Sequence, residues 1–393
     1  MFAVLSSLRK TGLGLVAGVG ALVLSGCEPG AITGGGPTIN TAEPVPVALL
    51  LPRGSGQSSD AVVARSLENA ARLAIADLPA GVQIDLRVYD TQGSAATAGA
   101  QAVKAVDEGA QIILGPVYGE AANAAGVAVA NRNVNVLSFS NNSTIAGGNL
   151  FILGPTFENT AGRLTRYAAR QDRGRIAVVH SNDLAGSLGR NAIQQSIAAT
   201  SGANLAGTVP YSLSQQGVIA AVPTVRDTVS GSGANALFLT STTAGALPLF
   251  TQLLPESGVT PENVQYIGLT RWDIPPQTAE LPGVQGGWFA LPDPGRSQGF
   301  RGRYQSAYGQ APHPIGGLAY DGIAAIGALV SNRGPDALTA ASLTRNAGFQ
   351  GTGGIFRLRP DGTNQRGLAI ATIENKQVVV IDPAPTSFAG AGL

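Results

Sequence analysis

A strand–helix alternation that runs through most of the chain, and restarts once, constrains its fold more than any other feature. Val45–Leu51 is an unbroken apolar run, as expected of a strand covered on both faces. Pro52-Arg53-Gly54-Ser55-Gly56 turns the chain. Ser58 or Ser59 can then cap a helix whose Val63, Leu67, Ala70, Ala74 and Leu78 share one face, before Pro79 stops it. Ile84, Leu86 and Val88 alternate as in a strand. Helices over 95–108 and 120–131 and strands over 112–114 and 134–139 complete this first run, punctuated by Gly109 and Gly115-Pro116. The pattern then begins again. Helices over 163–170, 188–200, 218–227 and 244–254 alternate with strands over 176–180, 205–209, 237–240 and 266–269. Strands joined through helices pair in parallel, so each run predicts its own doubly wound sheet. The expected fold class is α/β, with two similar parallel-sheet lobes rather than one long sheet.

The last third departs from this pattern. A strand over 287–290 meets the breaker Pro292-Asp293-Pro294-Gly295, and helices over 300–308, 318–330 and 338–345 follow. Strands over 355–358, 367–373 and 378–381, set around Pro360-Asp361-Gly362 and Asn375-Lys376, read as a small antiparallel meander.

Hydrophobic residues make up 44% of the chain and charged residues 12%, enough apolar material for a large core. The net charge of +1 and the absence of a basic stripe argue against a nucleic-acid binder. The single cysteine, Cys27, excludes an intrachain disulfide and a thiolate cluster. His180 and His313 lie far apart in sequence, so no structural zinc site is expected, and no cofactor motif is present. His180, ending an apolar strand, reads as a structural histidine.

The N-terminus reads as an address. Arg9 and Lys10 precede a short run of Leu, Val, Ala and Gly that ends at Leu24-Ser25-Gly26-Cys27, which makes 1–26 a signal peptide rather than a membrane span. Those last four residues resemble the lipobox of bacterial lipoproteins, which implies acylation of Cys27 and stable anchoring to a membrane. An ordinary secretory peptide with a stray cysteine is the alternative. The next residue is Glu28 rather than aspartate, which by the same resemblance points to the outer membrane. Residues 27–44, rich in Gly, Pro, Thr and Ala, are expected to form a flexible tether.

Ligands of open parallel sheets sit beyond the carboxyl ends of the strands. In this chain those ends carry Ser55, Tyr118, Ser140, Asn142, Thr240, Ser241, Arg271 and Trp272. Hydroxyls and amides there suit recognition without catalytic strength. Arg271 suits a carboxylate, and Tyr118 and Trp272 suit apolar walls. Each has a plainer role: Ser, Thr and Asn as helix caps, Arg271 as a partner of Asp273, Trp272 as packing between lobes. Gly295-Arg296-Ser297-Gln298-Gly299 matches G-x-S-x-G, but Pro292 and Pro294 stand where a nucleophile elbow needs its strand. No enzyme is expected.

Val47-Ala48-Leu49-Leu50-Leu51-Pro52, Val88-Tyr89-Asp90-Thr91, Ile113-Leu114-Gly115-Pro116, Val136-Leu137-Ser138-Phe139-Ser140-Asn141, Ala319-Tyr320-Asp321-Gly322 and Gly348-Phe349-Gln350-Gly351 resemble the type 1 periplasmic binding fold. Within it the chain is similar to the leucine/isoleucine/valine-binding group, and most of all to penicillin-binding protein activator lipoproteins. The resemblance implies three crossovers, near 155–158, 292–296 and 332–335. These would divide the chain into an N-terminal lobe of 45–156 plus 295–333 and a C-terminal lobe of 157–294 plus 334–393. It also implies that Ser140 and Asn142 hold a substrate carboxylate, with Tyr118 beside them and Thr240 or Ser241 opposite. Amino-acid binders hold an acidic residue where this chain has Thr270-Arg271-Trp272, which favours an anionic ligand or none. The expected role is therefore regulation of a peptidoglycan synthase, a penicillin-binding protein, by contact on the periplasmic side. The alternative is a substrate-binding lipoprotein that delivers amino acids or small organic anions to an ABC permease.

Overall fold

The computed structural model describes residues 35–389. The signal peptide expected over 1–26 and the lipidation site Cys27 lie outside the described residues. No helix among the described residues is long and apolar enough to cross a membrane.

The first run folds as β1 (Val45–Leu51), α1 (Ser58–Ala76), β2 (Ile84–Asp90), α2 (Ala95–Asp107), β3 (Ile112–Leu114), α3 (Gly119–Ala128), β4 (Asn135–Ser138) and β5 (Leu150–Ile152). Its five strands are all parallel, in the order β2-β1-β3-β4-β5. Alternate residues of β1 serve opposite faces. Val47, Leu49 and Leu51 join α1 in one core, while Ala48 and Leu50 join the alanines of α2 and α3 in another. That double coverage is why the strand is apolar at every position. The short strand β5 lacks a sequence signal of its own: three residues are too few to show alternation.

The second run folds as α4 (Phe157–Arg170), β6 (Arg175–Ser181), α5 (Leu184–Ala198), β7 (Asn204–Tyr211), α6 (Gln215–Ser232), β8 (Ala236–Leu239), α7 (Leu247–Glu256), β9 (Gln265–Gly268) and β10 (Trp288–Leu291). There follow α8 (Pro294–Tyr308), α9 (Gly317–Arg333), α10 (Ala340–Leu343), β11 (Phe349–Gly351), β12 (Gly354–Leu358), β13 (Asn364–Arg366), β14 (Ala369–Glu374) and β15 (Gln377–Asp382). The second sheet has seven strands in the order β15-β14-β10-β9-β8-β6-β7. Strands β6 to β10 are parallel, and β14 and β15 add to the edge as an antiparallel hairpin. One face is covered by α4 and α5 and the other by α6 and α7. The two-lobed α/β architecture is therefore present.

Three expectations need correction. The meander divides: β12 joins β11 and β13 in a separate antiparallel sheet, while β14 and β15 extend the second lobe. Period-two alternation identifies a strand but not its partner. The segment from 334 to 358, assigned to the C-terminal lobe, instead packs into the first: Ala337, Leu338, Leu343, Phe349, Phe356 and Leu358 share a core with α1 and α9. Leu368 and Ala369 belong to the second lobe, so the last passage between lobes lies after Leu358, not near 332–335. The described part of the tether is docked rather than free. Ile39 is buried in the first-lobe core, its N–H donates to the Pro335 carbonyl at 2.9 Å, and Asn135 Nδ2 donates to the Gly35 carbonyl at 3.0 Å.

Candidate functional site: a cavity between the lobes

The chain leaves the first sheet after β5, returns through Pro292-Asp293 into α8, and leaves again after β12. These passages are tied together by buried side chains. Asn364 Nδ2 donates to the Ile152 and Gly154 carbonyls, each at 2.8 Å, and its Oδ1 accepts from Asn159 Nδ2 at 2.7 Å. Asn159 Oδ1 in turn accepts from the Arg366 N–H at 2.8 Å. The Asp293 N–H donates to the Gly353 carbonyl at 2.9 Å, which ties the second passage to the turn between β11 and β12. Buried backbone carbonyls need donors, and the asparagines supply them where no strand can.

Beside this junction lies a cavity of about 340 Å³. The first lobe supplies Phe300, Arg301, His313, Ile315, Leu318 and Asp321, and the second supplies Arg271, Asp273 and Ile274. The passages add Pro155, Pro292 and Arg366, the turn between β11 and β12 adds Thr352, and the second lobe adds Leu368. The volume falls at the lower end of the range for small-molecule sites, about 300–1,000 Å³.

Its charges are arranged in two neutral pairs and one surplus. Arg271 binds Asp273 through two bonds, Nε to Oδ1 at 2.8 Å and Nη2 to Oδ2. The arginine side chain is 33% exposed and the aspartate 16%. Deeper in, Arg366 Nη1 lies 3.4 Å from Asp321 Oδ2, with side chains 9% and 1% exposed. Asp321 Oδ1 also accepts the Thr352 N–H at 2.6 Å, and Arg366 donates to the Leu153 carbonyl. Burial pushes the Asp321 carboxyl up from its ordinary value, although Arg366 and the Thr352 N–H favour its charged form. Arg301 has no carboxylate partner among the described residues, so one positive charge is left over. Burial also lowers the His313 imidazole below its ordinary value, so it tends to stay neutral.

The sequence-predicted residues divide between this cavity and other places. Arg271 lines it, paired with Asp273 as the plainer reading held. Ser55 and Tyr118 converge with Asp60 on Gly93, and Ser140 and Asn142 converge on Gly119, all at the carboxyl edge of the first sheet. Their polar groups are largely occupied. Ser55 Oγ accepts from the Gln57 N–H, Ser140 Oγ from the Asn142 N–H, and Asn142 Oδ1 from Thr144 N–H and Oγ1. Tyr118 OH donates to Asp60, and that bond, followed by burial, pushes the phenol up to about 12. At the carboxyl end of β8 in the second lobe, Thr240 and Ser241 are buried with unpartnered hydroxyls.

Trp272 is not a cleft wall. It is 0% exposed, lies in the second-lobe core and stacks with Phe289 at 6.3 Å between ring centres. A methyl group on Gly268 or Gly287 would lie 2.2 or 2.1 Å from its indole, so those glycines make the slot it fills. His180 is structural, as expected: it is buried, with Nδ1 2.9 Å from the Ser181 carbonyl.

The structure adds residues that the sequence did not single out as site candidates. Asp321 and Arg366 gave no pattern because their partnership joins α9 to the third passage, 45 residues along the chain. Ser297 and Arg301 hid around a dismissed motif. Strand β10 ends at Leu291 and Pro292-Asp293-Pro294 separate it from the motif, so no strand runs directly into it, as expected, and Ser297 sits inside α8 and not at the turn, its N–H donating to the Asp293 carbonyl at 3.0 Å. An elbow nucleophile would stand at the turn itself. The cap expected from Ser58 or Ser59 is likewise absent: both are helical, and Gln57 stands at the N-cap without a side-chain bond. The start of α3 also lacks a side-chain cap, so two sets of backbone N–H groups at the first sheet's carboxyl edge remain open.

Solved structures share this fold. A protein of Rhodospirillum rubrum assigned to a branched-chain amino acid ABC transporter is 20% identical with a TM-score of 0.72, covering 86% of this chain and 100% of that one. An ABC transporter substrate-binding protein of Desulfitobacterium hafniense in complex with leucine is 18% identical with a TM-score of 0.63, covering 86% and 100%. A solute-binding protein of an ABC transporter from Rhodopseudomonas palustris BisB5, in complex with 3,4-dihydroxybenzoic acid, is 17% identical with a TM-score of 0.58, covering 87% and 98%. No curated protein sequence matches the chain. The sequence profile of the family described as periplasmic binding protein matches residues 44–377. With two doubly wound lobes, a cavity where they meet and a profile match over most of its length, the chain belongs to the periplasmic binding protein family.

Proposed function

We propose that the protein is the solute-binding component of an ABC importer and captures a small carboxylate with an apolar body between its lobes. The cavity at the lobe junction carries this proposal: its walls include Phe300, Ile274, Ile315 and Leu318, and its one uncancelled charge is positive. A guanidinium there suits a carboxylate. The named neighbours bind leucine and a dihydroxybenzoic acid, both carboxylates on apolar bodies. Closure of the lobes about the three passages would trap the solute and present the closed form to a permease. Cys27 would hold the protein to the membrane.

Regulation of a peptidoglycan synthase rested on Glu28 and on an arginine standing where amino-acid binders place an acid. Asp273 bonded to Arg271 returns a carboxylate to that position and removes the second argument. The test is a thermal-shift series with leucine, 4-methylpentanoate, 3,4-dihydroxybenzoate and leucinamide. A carboxylate ligand at 100 times its Kd adds about 2.7 kcal/mol of stability, and leucinamide adds none. Stabilisation by none of the carboxylates, together with co-purification of a bifunctional transpeptidase, would overturn transport in favour of regulation.

A further inference from the structure

The helix that opens the second lobe carries an unbalanced charge. Arg163, Arg166 and Arg170 follow one another on α4 at spacings that share a face. Asp382 is the carboxylate that answers them, bound at 2.9 Å by Arg163 and at 3.0 Å by Arg170. Arg166 lies between them with no salt-bridge partner among the described residues, and its buried Nε has no hydrogen-bond acceptor. The neighbouring strand pair extends the patch. Strand β13 is held to α4 by the bond from the Arg366 N–H to Asn159. Beside it, Arg357 and Arg359 both donate to Gln365 Oε1, at 2.7 to 3.2 Å. A neutral amide thus holds two guanidiniums where a carboxylate would cancel charge. Burial first, then Arg163, Arg170 and Arg359, pulls the Arg166 guanidinium below its ordinary value.

A half-buried cation without a partner costs stability, and such a cost inside an otherwise consistent fold marks a site. The residue types fix the ligand class. Guanidiniums converging from a helix face and a strand pair match the oxygens of a phosphate, which accepts several paired N–H donors at once. We propose that Arg166, with Arg163, Arg170 and Arg359 around it, binds a phosphate-type oxyanion, presented either as a free phosphate or as a lipid headgroup. The site lies on α4 and the β12–β13 pair, outside the inter-lobe cavity, and does not depend on what that cavity holds.

The experiment uses the full chain carrying Cys27→Ser, so that no acyl group confounds membrane binding. Inorganic phosphate is titrated calorimetrically at constant ionic strength against a chloride control. Sedimentation with phosphatidylglycerol vesicles is compared with phosphatidylcholine vesicles. Binding of phosphate alone identifies a free anion, and binding of phosphatidylglycerol vesicles alone identifies a headgroup. In either case Arg166→Gln weakens binding at least about tenfold, whereas Arg226→Gln, on α6 and paired with Asp227, leaves it unchanged. Without anion, Arg166→Gln keeps or raises the thermal midpoint, because it removes an uncompensated charge. The proposal is overturned if neither probe binds above its control, if Arg166→Gln binds as tightly as the wild type, or if that variant is less stable without anion.

Discussion

The Asp321–Arg366 pair offers the sharpest test of how the lobe junction is held. Asp321→Asn keeps the shape and the acceptor for the Thr352 N–H but leaves the Arg366 charge without its carboxylate. Breaking a buried pair from one side costs about 3–5 kcal/mol. Arg366 keeps the Leu153 carbonyl, stacks over the Phe356 ring at 5.2 Å and borders the cavity, so the lower limit of about 3 kcal/mol is expected. Arg366→Met strands a carboxylate whose titration burial has already pushed upward, so that variant can relieve itself by taking up a proton. Its cost is therefore smaller at low pH and grows as pH rises through the shifted value. The double variant removes both charges and costs about as much as the worse single, giving a coupling energy of about 2–3 kcal/mol. Urea unfolding of the four proteins at pH 7 measures it. Additive costs, within about 0.5 kcal/mol, would refute an interacting pair.

Three further outcomes follow from other residues. His313 has its folded value lowered by burial, so the unfolded chain binds more protons just below the ordinary histidine value; stability should fall as pH drops through that window, and His313→Gln should flatten the fall in urea titrations from pH 7.5 to 5. Asp183 caps α5 by accepting the Gly186 N–H at 2.8 Å, and its carboxyl is held below its ordinary value by Ser181 and then by that N–H. Asp183→Ala should cost about 1 kcal/mol at pH 7 and less as pH falls through the folded value, where the native carboxylate is lost anyway. Gly287→Ala would press a methyl into the Trp272 indole and should cost about 1–3 kcal/mol, with a red shift of tryptophan emission; unchanged emission would show that Trp272 does not fill that slot.

What was legible in the sequence was whatever local period encodes. Val45–Leu51 and its counterparts are apolar throughout because helices cover both faces, and that signal needs no knowledge of partners. The division into two runs followed from the restart of the pattern. Partnership was illegible. Nothing local says that β12 leaves β14 for β11 and β13, or that Ala337 to Leu358 belong to the first lobe. Composition misled at 35–39: a Gly- and Pro-rich segment looks like a tether, yet Ile39 finds a pocket because Gly36 allows close approach to the Leu338 carbonyl. Trp272 misled for the opposite reason. An aromatic beside an arginine at a strand end suits a cleft, and only the slot made by Gly268 together with Gly287, just before the next strand, turns it inward. The cavity itself was half visible. Arg271 stood at a strand end, but Arg301 comes from α8, His313 from the loop between α8 and α9, Asp321 from α9 and Arg366 from the last passage, where no strand-end rule looks.

The charge pattern of the cavity separates two kinds of carboxylate. A plain organic acid needs only the surplus cation, Arg301, and leaves Arg271–Asp273 intact. An amino acid brings an ammonium as well, and of the two cavity carboxylates Asp273 is the accessible one, 16% exposed against 1% for Asp321, but it is already bonded through both oxygens to Arg271. Binding a zwitterion therefore means splitting that pair, with the substrate carboxylate taking Arg271 and the ammonium taking Asp273. The exchange is close to neutral in bond number, so stability alone does not choose between the two. Asp273→Asn does. It removes the partner of the ammonium, which should weaken leucine by about 2 kcal/mol or more, some thirtyfold. The same change frees Arg271 and adds a second uncancelled cation, so 4-methylpentanoate should bind as well or better. Calorimetry with the two ligands on wild type and variant gives four affinities. If Asp273→Asn weakens both equally, Asp273 acts only by holding the loop after β9, and the electrostatic assignment of the cavity fails.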